Sequence, residues 1–301
     1  MTSEKFRSMS VQDMARWIFE NGEPSDPRTD IDTVSLRRRF PALASVQMKD
    51  LQIQGASGIL PLRSYLDPEA SPTGRALVWA HGGAFLGGHL DMPEAHWVAM
   101  ELAAVGIPVL SIDYAKCVNG VHFPEPSNDV LLIWEAAAAN SVEWLGTKGT
   151  RLVLGGASAG ATLVAGVVQR LVDMRRAVPE ALVLVYPALH PDSTKPDTPF
   201  NPETKVGELA LNYAGTMQNL SNPHVFPGLG NGEGFPSTMI VACERDEFLP
   251  SAEQFHATLK TASVTSTLRI ESDSGHGHIN QPGDPGAVRS IQEISKWISM
   301  L

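Results

Sequence analysis

Apolar positions along this chain follow two rhythms that alternate. Gln47 to Gln54, with Met48, Leu51 and Ile53 apolar, reads as a strand, Gly55-Ala-Ser-Gly58 as a turn, and Ile59 to Leu66 as an antiparallel return. Further strands are expected at Ala76–Ala80, Val109–Ile112, Arg151–Leu154, Ala181–Tyr186, Thr238–Cys243 and Ser266–Ile270. Several are continuous apolar runs, the mark of strands covered on both faces. Between them the period lengthens to that of helices, at about Pro93–Val105, Asn128–Trp144, Ala159–Arg175, Pro250–Thr261 and Gly286–Leu301. The expected fold class is therefore α/β, a mostly parallel, doubly wound sheet with antiparallel N-terminal strands.

Two regions stand outside this alternation. Ser10 to Glu20 carries Val11, Met14, Ala15 and Ile18 on one helical face, with Ser10 as N-cap and Gly22 as stop, and a short helical piece follows around Val34 to Phe40. The stretch from His190 to Phe235 is rich in proline and glycine, and only Val206 to Leu220 has a helical pattern. An insertion of that length in a regular sheet usually carries function. We expect one domain over residues 1–301, with a helical cap drawn from about 1–45 and 190–235 and seated over the C-terminal ends of the strands.

Composition narrows the field. The chain has 301 residues, 43% hydrophobic and 19% charged, with 23 basic and 33 acidic residues and a net charge of −10. With no basic run, nucleic acid and anionic membranes are poor partners. No apolar run approaches the roughly 20 residues of a membrane span, and the opening residues lack the apolar core of a signal peptide, so a cytoplasmic location is expected. Cys117 and Cys243 are the only cysteines and form neither a disulfide framework nor a metal spacing. No metal or cofactor is expected. The sequence is silent on oligomeric state.

The chemistry centres on Arg151 to Val164. A strand, the turn Gly156-Ala157-Ser158-Ala159-Gly160 and a helix make a nucleophile elbow. Serine is a weak nucleophile and must stand clear of the backbone, where a base and a substrate both reach it. His81-Gly82-Gly83-Ala84 follows a buried strand, and a glycine-rich turn there can aim backbone N–H groups at a developing oxyanion, joined by the N–H of Ala159 after the serine. His81 itself is expected to brace that turn. Glu244, Asp246 and Glu247 follow the strand Thr238–Cys243, and Asp246 suits a triad acid best. The base should come last; His276 and His278 both lie in the loop after the final strand, whereas His256 falls within a helix pattern.

Taken in order, these segments resemble the hormone-sensitive-lipase-like branch of the α/β-hydrolase esterases. The resemblance runs from about Arg75 to the C-terminus. It rests on His81-Gly-Gly-Ala84, Asp113-Tyr114 with Phe123-Pro124 and Asp129, the Gly156–Gly160 elbow, Asn222-Pro223 to Pro227, Arg245-Asp246 with Phe255, and His276-Gly277. It implies Ser158 as nucleophile, Asp246 as acid and His276 as base, although a His-x-His ending would assign the base to His278. It also implies Gly83, Ala84 and Ala159 as oxyanion donors and an N-terminal helical cap. Three positions depart from the family pattern. Ala84 replaces the third glycine, Ala157 replaces an aspartate, and Asp113-Tyr-Ala-Lys116 lacks the arginine after the tyrosine. The expected function is a serine hydrolase acting on a small or medium ester through an acyl-enzyme. An amidase, formamidase or lactonase would share the triad, and a small-molecule binder on the same scaffold is the reading from another class.

Overall fold

The computed structural model describes residues 5–6, 8–24, 32–146, 151–197 and 200–301. Eight strands form one sheet in the order β1-β2-β4-β3-β5-β6-β7-β8. They are β1 Gln47–Gln54, β2 Ile59–Leu66, β3 Arg75–Ala80, β4 Val109–Ile112, β5 Arg151–Ala157, β6 Ala181–Val185, β7 Ser237–Cys243 and β8 Ser266–Glu271. β1 pairs β2 and β2 pairs β4 antiparallel; every other pairing is parallel. This is the mixed sheet that the alternation of patterns predicts.

Side chains divide the central strands cleanly. In β3, Ala76, Val78 and Ala80 enter one apolar cluster, while Leu77 and Trp79 enter the other. The first cluster is closed by α4 (Glu125–Ala139), α6 (Ala159–Asp173) and α8 (Leu249–Thr261). The second is closed by α3 (His96–Ala104) and α9 (Pro285–Met300). Parallel strands demand this double cover, because water can reach neither face.

Of the N-terminal helices, α1 (Val11–Asn21) lies against α7 (Lys205–Ala214) from the insertion. Val11, Ala15 and Leu86 form a small apolar cluster with Met14, Ile18 and Leu209 packed onto it. The Val11 N–H donates to Glu208 Oε2 at 3.1 Å. The second helix, α2 (Thr33–Arg39), is elsewhere: its Leu36 is buried in the cluster under α3 and α9.

Several boundaries differ from the sequence expectation for local reasons. The helix expected over 128–144 is two, α4 and α5 (Ser141–Leu145), because Asn140 leaves helical geometry at φ −112°, ψ 18°. α3 begins at His96, not near Pro93, and Glu94 is turned inward ahead of it. α7 stops at Ala214, where Gly215 takes the left-handed conformation at φ 75°. β5 runs on to Ala157 because Gly155 and Gly156 still pair with Val183 and Leu184 of β6. Residues 147–150 and 198–199, inside the expected loops, lie outside the described residues.

Candidate active site

The loops that leave β3, β5, β6, β7 and β8 meet at one end of the sheet. β5 delivers Ser158. The serine sits at φ 51°, ψ −120°, a conformation rarely taken by residues with a side chain, and its N–H donates to Val185 O at 2.9 Å. Strain of this kind costs about 1–3 kcal/mol and persists only where the surroundings fix it. Here the fixing contact is backbone on backbone. A Cβ at Gly160 would lie 2.3 Å from the carbonyl oxygens of Ala80 and His81. The first turn of α6 therefore rests directly on the end of β3. Ala157, in place of the family aspartate, is fully buried in the apolar cluster on the α3–α9 side.

β7 and β8 deliver the other two side chains. Arg245 N–H donates to Ser274 O at 2.9 Å and Glu244 N–H to Glu271 O at 3.0 Å, so the two loops are stitched together. Asp246 is buried, and its Oδ1 accepts the Phe248 N–H at 3.0 Å. Its Oδ2 lies 2.8 Å from His276 Nδ1. His276 Nε2 in turn lies 2.8 Å from Ser158 Oγ. With the Nδ1 proton donated to the carboxylate, Nε2 is left to accept the serine proton. The imidazole is held between two rings, Tyr186 at 4.8 Å and the edge-on Phe248 at 5.0 Å between centroids.

His278 is two residues on and turned away. Its Nδ1 lies 3.2 Å from Cys243 Sγ and its Nε2 2.8 Å from Ser290 Oγ, and it is buried. Burial lowers its pKa to about 4. His256 is on α8 and meets Ser266 Oγ at 3.0 Å. Glu244 accepts the Asp273 N–H, and Glu247 is exposed at the rim of the cavity described below.

The glycine turn after β3 faces Ser158 from the other side. Gly83, Ala84 and Phe85 all have positive φ, at 121°, 55° and 62°. Ala84 thus holds a left-handed conformation that glycine would adopt more easily. Among the described residues, the N–H groups of Gly83, Ala84 and Ala159 donate to no other group. The Ala159 N–H opens α6 and has no partner within the helix for that reason. A Cβ at Gly82 would come within 3.0 Å of Ser158 Cβ, so this turn and the sharp turn at Ser158 touch.

Groups behind the turn hold it. His81 is fully buried, with Nδ1 2.6 Å from Gly82 O and Nε2 3.1 Å from Asp113 Oδ1, and its ring stacks on Tyr114. Lys116, two positions past the tyrosine, also pairs with Asp113 and lies 4.1 Å over the Tyr114 ring. Burial opposes the charge on Asp113, but the His81 hydrogen bond and the Lys116 charge prevail and hold its carboxyl well below the usual range. At the far end of the turn, the Glu23 carboxylate accepts the Gly88 N–H at 2.8 and 3.0 Å. Glu23, Glu94, Tyr186 and Phe248 were not singled out by sequence. Only Tyr186, an aromatic directly before a proline at a strand end, carried a local signal.

Between the elbow and α7 lies a cavity of about 250 Å³. Its floor is Ser158, Ala159 and His276, and its apolar walls include Ala84, Phe85, Val206, Leu209 and Phe226. Phe85 stacks on Tyr213 of α7 with centroids 4.0 Å apart, tying that helix to the turn. Among the described residues no cluster of His, Cys, Asp and Glu is arranged to hold a metal ion. No described helix is long and apolar enough to cross a membrane.

Comparison with known proteins agrees with this architecture. Residues 77–280 match a family described as the alpha/beta hydrolase fold. An ethyl acetate hydrolase of Pseudomonas putida is 26% identical over 269 residues, which cover 83% of this chain and 83% of that protein. The hormone-sensitive lipase of Bos taurus is 33% identical over a shorter span of 143 residues, 46% of this chain and 18% of that one. Among solved structures, an esterase of Pyrobaculum calidifontis superposes with a TM-score of 0.74 at 22% identity, covering 92% of this chain and 99% of that one.

Proposed function

This chain belongs to the α/β-hydrolase fold family, and on that footing we propose that it is a serine carboxylesterase cleaving small or medium esters through an acyl-enzyme on Ser158. The observation that carries the reading is the unbroken hydrogen-bond series Asp246–His276–Ser158, opposite a turn with unengaged N–H groups. The name of the ethyl acetate hydrolase relative supports the ester as the bond attacked.

The proposed steps follow from the geometry. The ester carbonyl carbon sits over Ser158 Oγ with its oxygen toward Gly83, Ala84 and Ala159. His276 Nε2 takes the serine proton as Oγ attacks, and Asp246 stabilises the imidazolium without taking the proton. The three N–H groups stabilise the tetrahedral oxyanion, and such a donor is worth about 100- to 1,000-fold in rate. His276 then gives its proton to the leaving alcohol. Water then attacks the acyl carbon as it gives a proton to the same nitrogen, the bond from that carbon to Ser158 Oγ breaks, and His276 returns the proton to Oγ as the acid leaves. The substrate's chain occupies the apolar cavity under a cap that α1 and α7 form together.

The test is a fluorophosphonate probe followed by peptide mass analysis. An adduct on Ser158, absent from Ser158→Ala and accompanied by loss of p-nitrophenyl ester hydrolysis in that variant, is the expected result. No adduct, or full esterase activity in Ser158→Ala, would overturn the reading. Rates on matched esters, lactones and N-acyl amides decide which acyl bond is preferred.

A further inference from the structure

Glu94 is a buried acid that the proposed reaction does not use, only 3% exposed. It stands just ahead of α3, at the crossing of three loops. Its Oε1 accepts the Gly82 N–H at 2.5 Å, and its Oε2 accepts the Tyr186 hydroxyl. Its own N–H donates to Asn280 Oδ1 at 2.9 Å, and its carbonyl accepts Trp79 Nε1 at 2.9 Å. Among the described residues it has no lysine or arginine partner. A buried acid without a cation costs stability unless hydrogen bonds satisfy it, so this one is held for geometry and not as half of an ion pair.

The geometry joins the two halves of the site. Gly82 is the residue before the donors Gly83 and Ala84, so holding its N–H fixes the peptide plane from which they follow. There is no slack in the arrangement, because a Cβ on Gly82 would lie 2.5 Å from Glu94 Oε1. Tyr186 has φ 36°, and its ring supports the His276 imidazole. Asn280 ends the short 3-10 turn that begins at His278. One side chain and its backbone therefore tie the turn after β3, the loop after β6 and the histidine loop after β8.

We propose that Glu94 is a positioning residue that sets the distance and angle between the oxyanion donors and His276, a role that rests on the reading of Ser158 and His276 given above. Misplacing donors by a fraction of an ångström weakens transition-state binding far more than substrate binding. The effect should therefore fall on kcat and not on KM.

The experiment compares wild type, Glu94→Gln, Glu94→Ala and Tyr186→Phe with a p-nitrophenyl ester and an alkylboronic acid, whose adduct on serine places oxygen in the oxyanion site. Glu94→Ala should lower kcat about 100-fold while KM moves less than about threefold. Its boronate affinity should fall in parallel with kcat. Glu94→Gln keeps an acceptor for Gly82 and should lose only about 10-fold. Tyr186→Phe removes one hydroxyl, leaves the ring, and should also lose about 10-fold, which provides a reading if the Glu94 variants fold poorly. Folded variants whose kcat and boronate affinity match wild type, with only the melting temperature lowered, would overturn the proposal. Fluorophosphonate labelling of the wild type separates the two failures. A labelled wild type with unaltered variants sinks the Glu94 role alone, and an unlabelled wild type sinks the reading of Ser158 with it.

Discussion

His276 and His278 are one glycine apart and face opposite environments: His276 Nε2 is 2.8 Å from Ser158 Oγ, and His278 Nε2 is 2.8 Å from Ser290 Oγ. Gly277 between them has φ 78°, the left-handed conformation that turns the chain. His276→Ala should therefore lower kcat at least about 1,000-fold with little loss of fold. His278→Gln should keep kcat within a few-fold and lower stability by about 1–3 kcal/mol, through its lost contacts to Ser290 and Cys243. Paired kinetics and urea denaturation check both, and the reverse pattern would reassign the base.

Acid should weaken the fold through its buried histidines. Burial lowers His96, His190 and His278 to about 4 from an ordinary 6.5. Their folded pKa values lie below the unfolded ones, so the stability they contribute is complete above pH 6.5 and is lost as pH falls toward 4. Each contributes up to about 1.4 kcal/mol per pH unit within that window. Burial raises the carboxyls of Asp129 and Glu101, which act in the opposite sense. The expected net outcome is a urea midpoint that drops between pH 7 and pH 5, with a shallower drop in His278→Gln. Equal midpoints at the two pH values would refute it.

Ala84 stands where the family pattern of the resemblance has a glycine, and its φ of 55° makes the direction of change readable. Ala84→Gly relieves left-handed strain of about 1–2 kcal/mol but adds freedom to the unfolded chain, so stability should stay within about 1 kcal/mol of wild type. The lost methyl also widens the cavity it lines, which should favour bulkier acyl groups. Ala84→Val should cost more than about 2 kcal/mol, because a β-branched side chain tolerates that φ poorly. Melting curves and an acyl-size panel measure the pair.

Gly160→Ala tests the contact beneath Ser158. The added carbon would sit 2.3 Å from two carbonyl oxygens, which are backbone and cannot swing aside. Destabilisation of about 1–3 kcal/mol is expected, with activity falling more than the folded fraction does. An active, stable variant would mean that α6 can slide without disturbing Ser158.

The chain makes its framework legible and, apart from His81, its bracing illegible, for a physical reason. Strands β3 to β7 announce themselves because each must be mostly apolar to lie between helices, whereas the edge strand β8 is half polar; Ser158, Asp246 and His276 stand at strand ends in an order the family resemblance supplied. The base remained open between His276 and His278, since the orientation of each depends on what packs around it. Glu94 and Tyr186 left almost no trace. Their partners are 12 and 92 residues away in sequence and are partly backbone, so no spacing encodes them. Helix ends failed where single residues decided them, as at Asn140 and Gly215.

The cavity's floor and one of its walls come from separate parts of the chain. Ser158, Ala159 and His276 belong to strand ends locked by backbone contacts, whereas Val206 and Leu209 belong to one short helix of the insertion. Under the proposed function, the reacting groups and this wall of the pocket thus sit on different segments of the chain. A library confined to Val206 and Leu209 would explore new substrates at little risk to the chemistry, and exchanging that helix with a relative's, Tyr213 kept against Phe85, is the shortest recombination that would transplant a preference.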